Sequence, residues 1–178
     1  NNLNFYEAAP ITEGAHYALN NIKASKIEYG QNALVYGATG AIGSAAVQLL
    51  KHFGIKVTAV CNTINMELMY SLGADRVIDY QTQDFTKTES RFQFIFDAVG
   101  KSSFKQCKPL LTDRGIYIST ELGKNAENIF YALITPLLGG KKVLFPIPTI
   151  TKQDVIFLKN RVENGEYKPV IDRHYKLD

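Results

Sequence analysis

Tryptophan is absent from the 178-residue sequence, and cysteine and histidine are scarce, with two and three residues respectively. Cys61 and Cys107 are far apart and form no C-x-x-C pair, so both are expected to be small, buried apolar side chains. His16, His52 and His174 show no metal-ligand spacing. The sequence therefore predicts no metal site, and a reducing, cytoplasmic location is the default expectation.

Long apolar runs and a strong excess of one charge are also missing. No run approaches the ~20 apolar residues that a membrane span needs, and no signal-peptide pattern is present. The net charge is only +3 and the lysines are scattered, so neither nucleic acid nor a membrane is an expected partner. A Tyr-x-x-x-Lys pair, a Ser-His-Asp arrangement and a Cys-His arrangement are all missing. The sequence therefore predicts no catalytic residue within the chain.

The most informative stretch is a glycine turn between two regular patterns. An apolar run at 33–36 predicts a buried strand, Gly37, Gly40 and Gly43 follow at even spacing, and a helical pattern begins at once. The G-x-x-G-x-x-G spacing alone fits a turn that binds nothing equally well. A second strand at 56–60 completes a βαβ unit of the expected ~30 residues, which favours nucleotide binding.

In this interpretation, the turn presents free backbone N–H groups and a positive helix end to a pyrophosphate. One glycine allows the tight turn, one lets the phosphates approach, and one lets the helix pack closely on the strand. The predicted pyrophosphate-binding residues are Gly37, Ala38, Thr39, Gly40, Ala41, Ile42 and Gly43.

Alternation of strands and helices continues along the chain and predicts an α/β fold. The expected architecture is a doubly wound parallel sheet, a Rossmann-type dinucleotide-binding domain over 31–178, preceded by a leading segment with a helix at 1–30. Thr12 is the expected N-cap of that helix, and 112–115 is an expected turn. The predicted strands are 33–36, 56–60, 76–80, 92–99, 116–120 and 141–146, and the predicted helices are 13–22, 42–53, 65–72, 102–111, 128–138 and one capped by Thr151 with Val155, Phe157, Leu158 and Val162 buried.

Four stretches occur in the order typical of one family: the glycine turn with its helix at 35–49, SLGAD leading to VIDY at 71–80, FDAVG at 96–100 and KPVIDR at 168–173. With them the chain resembles the cofactor domain of the medium-chain dehydrogenase/reductase superfamily, most closely its zinc-free quinone-oxidoreductase branch. The resemblance implies an NAD(P)H-dependent oxidoreductase that transfers hydride to or from a small carbonyl, quinone, enone or alcohol.

The resemblance also implies that the family's N-terminal, barrel-like catalytic domain is not part of this chain. An isolated cofactor domain of this kind is expected to bind NADP(H) without turnover, with the small-molecule substrate held only in the full-length parent. Some relatives serve structural or sensory roles, so a non-catalytic dinucleotide-binding or interaction module is the alternative. Relatives pair an edge strand across a two-fold axis, which makes the strand from Lys141 to Phe145 the candidate homodimer contact; a lysine-protected free edge is the alternative.

The predicted cofactor preference depends on the absence of an acidic residue. NAD-specific sites place an Asp or Glu about 20 residues after the first glycine, and none occurs between Ala38 and Met66. NADP(H) is therefore favoured over NAD(H). Ile64 and Asn65 stand where NADP-using relatives often have Arg or Lys, which leaves the strength of the preference open. The residues expected at the end of the second strand are Cys61, Asn62, Thr63 and Asn65.

Further residues are implied by the resemblance at the other strand ends. Tyr80 matches the family tyrosine near the adenosine 2′-phosphate; packing on the sheet is its alternative role. Asp97 could bond either the backbone or a ribose. The residues expected on the nicotinamide-ribose side are Ala98, Val99, Gly100, Thr120, Glu121 and Leu122.

Overall fold

The computed structural model describes residues 4–173, so residues 1–3 and 174–178 of the two predicted domains, including His174, lie outside the described residues. The leading segment is more helical than predicted. It comprises helix α1 (Phe5–Pro10), a π turn (Ile11–Ala15) and helix α2 (His16–Ser25). The first helix begins early because Asn4 and Glu7 form a reciprocal capping box. Thr12 is therefore not an N-cap, and its hydroxyl instead donates to the Ala9 carbonyl at 2.7 Å.

The predicted βαβ unit is confirmed, and the sheet grows from it in both directions. All six strands are parallel, in the order β3-β2-β1-β4-β5-β6. The remaining elements in chain order are β1 (Asn32–Tyr36), α3 (Ala41–His52), β2 (Lys56–Cys61), α4 (Met66–Ser71), β3 (Arg76–Asp79), β4 (Phe92–Asp97), α5 (Phe104–Cys107), β5 (Leu111–Ser119), α6 (Glu127–Leu138), β6 (Lys142–Leu144) and α7 (Lys152–Glu163).

This architecture confirms the predicted doubly wound Rossmann-type sheet. The strand order reverses between β1 and β4, and ligands of open α/β sheets bind at the carboxyl ends of the strands beside such a reversal. Side chains alternate across the sheet because successive strand residues point to opposite faces. Ala33 and Val35 face the core layer that contains α2 and α3, whereas Leu34 faces the layer with Phe85 and Phe104.

Most element boundaries differ from the sequence-based prediction by one or two residues, and those of three elements, α2, β5 and α5, differ by more. The expected turn at 112–115 is instead the first half of β5, where the register shifts between Phe92 and Phe94 and so accommodates the polar residues in a strand. Strand β6 is shorter than predicted, and α5 is followed by a 3₁₀ turn (Lys108–Leu110) rather than by a longer helix. In α7, Leu158 is buried as predicted but Val155 is half exposed.

None of the helices within residues 4–173 is long and apolar enough to cross a membrane.

Candidate functional site

The glycine turn joins β1 to α3 at the carboxyl edge of the sheet. Gly37 has φ of +74°, and a Cβ there would lie 2.6 Å from the Cγ1 of Val99. A Cβ at Gly43 would lie 2.1 Å from the Gly37 carbonyl oxygen. Glycine is therefore required at Gly37 for the left-handed turn and at Gly43 for the close approach of helix to turn.

Gly40 differs from its two neighbours because its surroundings are open. A Cβ there would meet only the Gly37 carbonyl oxygen, at 3.7 Å, and the residue is exposed. It is the N-cap of α3 and has no side chain that could accept from the first-turn amides. The open position leaves room for a ligand to approach the backbone.

The first turn of α3 carries unused hydrogen-bond donors. The first helical bond runs from the Ser44 N–H to the Gly40 carbonyl at 2.9 Å, so the N–H groups of Ala41, Ile42 and Gly43 precede any intrahelical partner. Ala41 is exposed and Ile42 is half-buried, whereas Gly43 is buried. Free N–H groups at the positive end of a helix are the kind of donors that bind anions, and α3 is twelve residues long.

Ala38 takes a different position from the other residues of the turn. Its side chain lies in the core and its N–H donates to the Val60 carbonyl at 3.2 Å. This hydrogen bond connects the turn to β2. The N–H groups that remain free belong to the residues that follow Ala38.

A cavity of about 330 Å³ lies beside the turn and collects predicted residues from three strand ends. Tyr80 is half exposed there, and Tyr36 has a raised pKa because it is partly buried and lies near Asp97. Lys101 also lines the cavity but is not among the site residues predicted from the sequence. The only sequence signal for it is its position directly after Gly100. The lining residues are Tyr36, Gly37, Thr39, Gly40, Tyr80, Ala98, Val99 and Lys101.

Asp97 shapes the loop that supplies Ala98, Val99 and Lys101. Its buried carboxylate accepts the Gly100 N–H at 2.8 Å and the Ser102 N–H at 2.7 Å. The Ser102 hydroxyl adds a bond at 2.8 Å and the Tyr117 hydroxyl one at 3.3 Å. Of its two predicted roles, the backbone one is the role that the structure shows. Burial, reinforced by the Asp97 carboxylate, raises the pKa of Tyr117 and keeps its hydroxyl protonated as a donor.

Three of the four remaining residues predicted for the nicotinamide side, Gly100, Glu121 and Leu122, line a second cavity, of about 770 Å³. Gly100 has φ of +66°, and a Cβ there would lie 2.2 Å from the Cγ of Glu121, so β4 and β5 meet closely at this point. The Thr120 N–H donates to the Asp97 carbonyl oxygen at 3.0 Å. The six residues are thus divided: Ala98 and Val99 face the first cavity, Gly100, Glu121 and Leu122 face the second, and Thr120 lines neither.

At the end of β2, the polar residues are partly engaged with one another. The Thr63 hydroxyl donates to Asp79 Oδ2 at 2.6 Å, and the Asn65 amide donates to the Asn62 side-chain oxygen at 2.6 Å. Bonds from Thr63 and from the Gln81 N–H lower the pKa of Asp79. The strand register places Asp79 opposite Cys61, a proximity that sequence spacing does not reveal.

Both cysteines are buried, as expected from the sequence. Burial raises the pKa of Cys61, and it raises that of Cys107 to about 12. Neither thiol is poised as a nucleophile. The Cys61 side chain lies within the core and lines neither cavity.

Comparison with known proteins gives concordant matches. The zinc-binding dehydrogenase family matches residues 72–178. A chloroplast envelope quinone oxidoreductase homolog of Arabidopsis thaliana is 35% identical over 151 residues, covering 82% of this chain and 45% of that protein. An NADPH-dependent alkenal/one oxidoreductase of the same plant, a chloroplastic protein, is 29% identical over 96% of this chain and 40% of its own length.

A solved structure agrees with the fold. The quinone oxidoreductase from Coxiella burnetii superposes with a TM-score of 0.84 at 20% identity, covering 96% of this chain and 53% of that one. The chain therefore spans about half the length, or less, of these proteins.

Zinc does not fit the residues of this site. Within residues 4–173, no group of three or more His, Cys, Asp or Glu side chains could hold a metal ion. The two cysteines are buried in different core clusters, so they cannot bind one metal ion together.

Proposed function

The chain belongs to the medium-chain dehydrogenase/reductase superfamily, in its quinone-oxidoreductase-like branch, and from that membership we propose that it is the cofactor-binding domain of an NAD(P)H-dependent oxidoreductase. The single observation that carries the proposal is the exposed first turn of α3, whose N–H groups lie at the carboxyl edge of the sheet beside an open glycine. A turn with only a structural role would not need open space around Gly40.

In this proposal, different residues bind the different parts of the cofactor. The pyrophosphate lies at Gly40, Ala41 and Ile42, where donors and space coincide. The adenosine end occupies the cavity with Tyr80 and Lys101. The nicotinamide end lies towards the larger cavity, and when bound it supplies the hydride chemistry that the chain's own side chains lack.

The proposal favours NADP(H) over NAD(H). Lys101 brings a positive charge to the cavity that Tyr80 lines. Asp79, the last residue of β3, lies opposite Cys61 of β2 and is buried and bonded to Thr63. The Thr63 hydroxyl has its proton committed to Asp79, so it accepts from a ribose hydroxyl but cannot also donate to a phosphate. The preference therefore depends on Lys101 and Tyr80 more than on Thr63. One matched relative is named as NADPH-dependent.

The substrate class follows from the family: a quinone, enone, small carbonyl or alcohol. We expect the 178 residues to bind cofactor without turnover, because hydride transfer needs a second surface that holds the substrate against the nicotinamide. The leading segment at 1–30 and the dinucleotide-binding domain at 31–178 remain the proposed division of the chain. A cytoplasmic location stays a prediction, since matched relatives include chloroplastic and mitochondrial proteins.

The proposal also includes a homodimer. Strand β6 pairs with β5 on one edge and with no other strand among the described residues. Helix α6 covers part of its other edge, because the Val143 N–H donates to the Thr135 hydroxyl at 2.9 Å. The outer side of α6 exposes Leu133 and Leu137, at 70% and 85%. One two-fold contact that involves the strand from Lys141 to Phe145 would cover both the rest of this edge and the apolar side of the helix.

Titration of the chain with NADPH and with NADH, by calorimetry, tests the function. We expect both to bind, NADPH more tightly. Equal affinities would remove the cofactor preference and keep the site, whereas the absence of binding by either dinucleotide would refute the proposed function.

A further inference from the structure

The leading segment touches the phosphate-binding turn through one unpredicted glycine. We propose that the π turn Ile11–Ala15 is a positioning element for that turn, and that Gly14 is the residue through which it sets the first residue of α3. The inference rests on the proposed function, because it assigns Gly14 a role in cofactor affinity.

The contact is made by backbone atoms and leaves no space for a side chain. A Cβ at Gly14 would lie 2.8 Å from the Ala41 carbonyl oxygen, 2.9 Å from its carbonyl carbon and 3.1 Å from its Cβ. The backbone at Gly14 is outside the left-handed region, so glycine is needed there for close approach and not for its conformation.

A π turn is an uncommon element, and its burial shows which side faces α3. Ile11, Gly14 and Ala15 are buried, whereas Thr12 and Glu13 are exposed. Single π turns inside helices occur frequently at functional sites. This one interrupts the helical leading segment at the point where Gly14 meets α3.

Ala41 is the residue through which the contact would reach a ligand. It is the first residue of α3, is exposed, and carries one of the unused N–H groups. Its carbonyl accepts from the Ser44 hydroxyl at 3.3 Å, so its peptide groups are held on both sides. A side chain at Gly14 would push Ala41 outward and misalign its N–H with a phosphate oxygen.

Gly115 provides a matched control. It too lies outside the left-handed region, and a Cβ there would meet the Phe92 carbonyl oxygen at 2.9 Å and the Leu111 Cβ at 3.0 Å. It is the middle residue of β5 and lies beside Phe92, the first residue of β4, so it is away from the carboxyl edge of the sheet where the cofactor is proposed. Gly14→Ala and Gly115→Ala therefore impose the same kind of backbone clash at different places.

The experiment measures the NADPH dissociation constant and the melting temperature of the wild-type chain and both variants. Both substitutions should lower the melting temperature, but only Gly14→Ala should raise the dissociation constant, by about tenfold for a displacement below 1 Å. Wild-type affinity in Gly14→Ala, or equal losses in the two variants, would overturn the inference. Absence of binding by the wild type would instead refute the proposed function.

A double-mutant cycle adds a second test of the contact. Ala41→Gly removes the Cβ, one of the three Ala41 atoms that a Cβ at Gly14 would meet, and loosens the backbone that carries the other two, so the double variant should recover part of the affinity lost in Gly14→Ala. Strictly additive losses in affinity would show that the two residues act independently and would contradict the proposal.

Discussion

Val99 packs against the bare Cα of Gly37, and this contact joins the β4 loop to the glycine turn. A Cβ at Gly37 would lie 2.6 Å from the Val99 Cγ1 and 2.8 Å from its Cβ. The Asp97 carboxylate fixes the loop from beneath, through the Gly100 and Ser102 amides. The turn and the loop therefore form one structural unit, which is why the cavity beside them is lined by both.

Gly37→Ala should destabilise the fold by about 2–4 kcal/mol, because it combines a left-handed φ with a steric clash. Gly30 offers a matched control: its φ is +79°, yet a Cβ there would have nothing within 4 Å. Gly30→Ala should cost only about 1 kcal/mol, since the conformational strain acts alone. Denaturant unfolding measures the free energy of unfolding of both variants. Equal losses of stability would show that the Val99 contact does not contribute to the cost of Gly37→Ala.

The glycine turn was predictable from sequence because its determinants are local: strand, turn and helix follow one another within the printed residues. Lys101, Asp79 and Gly14 were not identified as contributors to the site. Asp79 reaches Thr63 only through strand pairing, and Gly14 reaches Ala41 only through packing of the leading segment. Long-range contacts of this kind leave no spacing pattern in the sequence. The polar first half of β5 was taken for a turn because its pairing also depends on tertiary context.

Ala41→Glu should affect stability and cofactor binding in opposite directions. An acid in the first turn of α3 interacts favourably with the helix dipole, by about 0.3–1 kcal/mol. The same charge should repel the pyrophosphate and weaken NADPH binding at least tenfold, as charged groups beside a phosphate do. Ala41→Gln is the neutral control of equal size. Unchanged affinity in the Glu variant would argue against a phosphate at this turn.

Lys101→Ala should distinguish the two dinucleotides. Loss of a cation near a 2′-phosphate should weaken NADPH binding by about 1.5–3 kcal/mol and leave NADH binding nearly unchanged. Tyr80→Phe should cause a smaller, similarly selective loss. Lys124→Ala, on the second cavity, is the control and should not discriminate between them. Equal losses for NADPH and NADH in Lys101→Ala would remove Lys101 from the 2′-phosphate site.

The double variant Leu133→Glu with Leu137→Glu should convert a dimer into monomers. Both side chains are exposed on the outer side of α6, and burying two carboxylates in a dimer contact is strongly unfavourable. Ile156→Glu, on α7, is half exposed and serves as the control, because it lies on a different helix from the proposed contact. Light scattering measures the mass. A wild-type chain that is monomeric at high concentration would contradict the dimer itself.

Amide NMR during titration with NADPH is the sharpest test of a dinucleotide pyrophosphate bound at the first turn of α3. We expect the N–H signals of Ala41 and Ile42 to shift downfield and to saturate with the cofactor, as donors to a phosphate do. The signal of Gly115, the middle residue of β5, should not shift. Saturable binding that leaves the Ala41 and Ile42 signals in place would refute pyrophosphate binding at this turn.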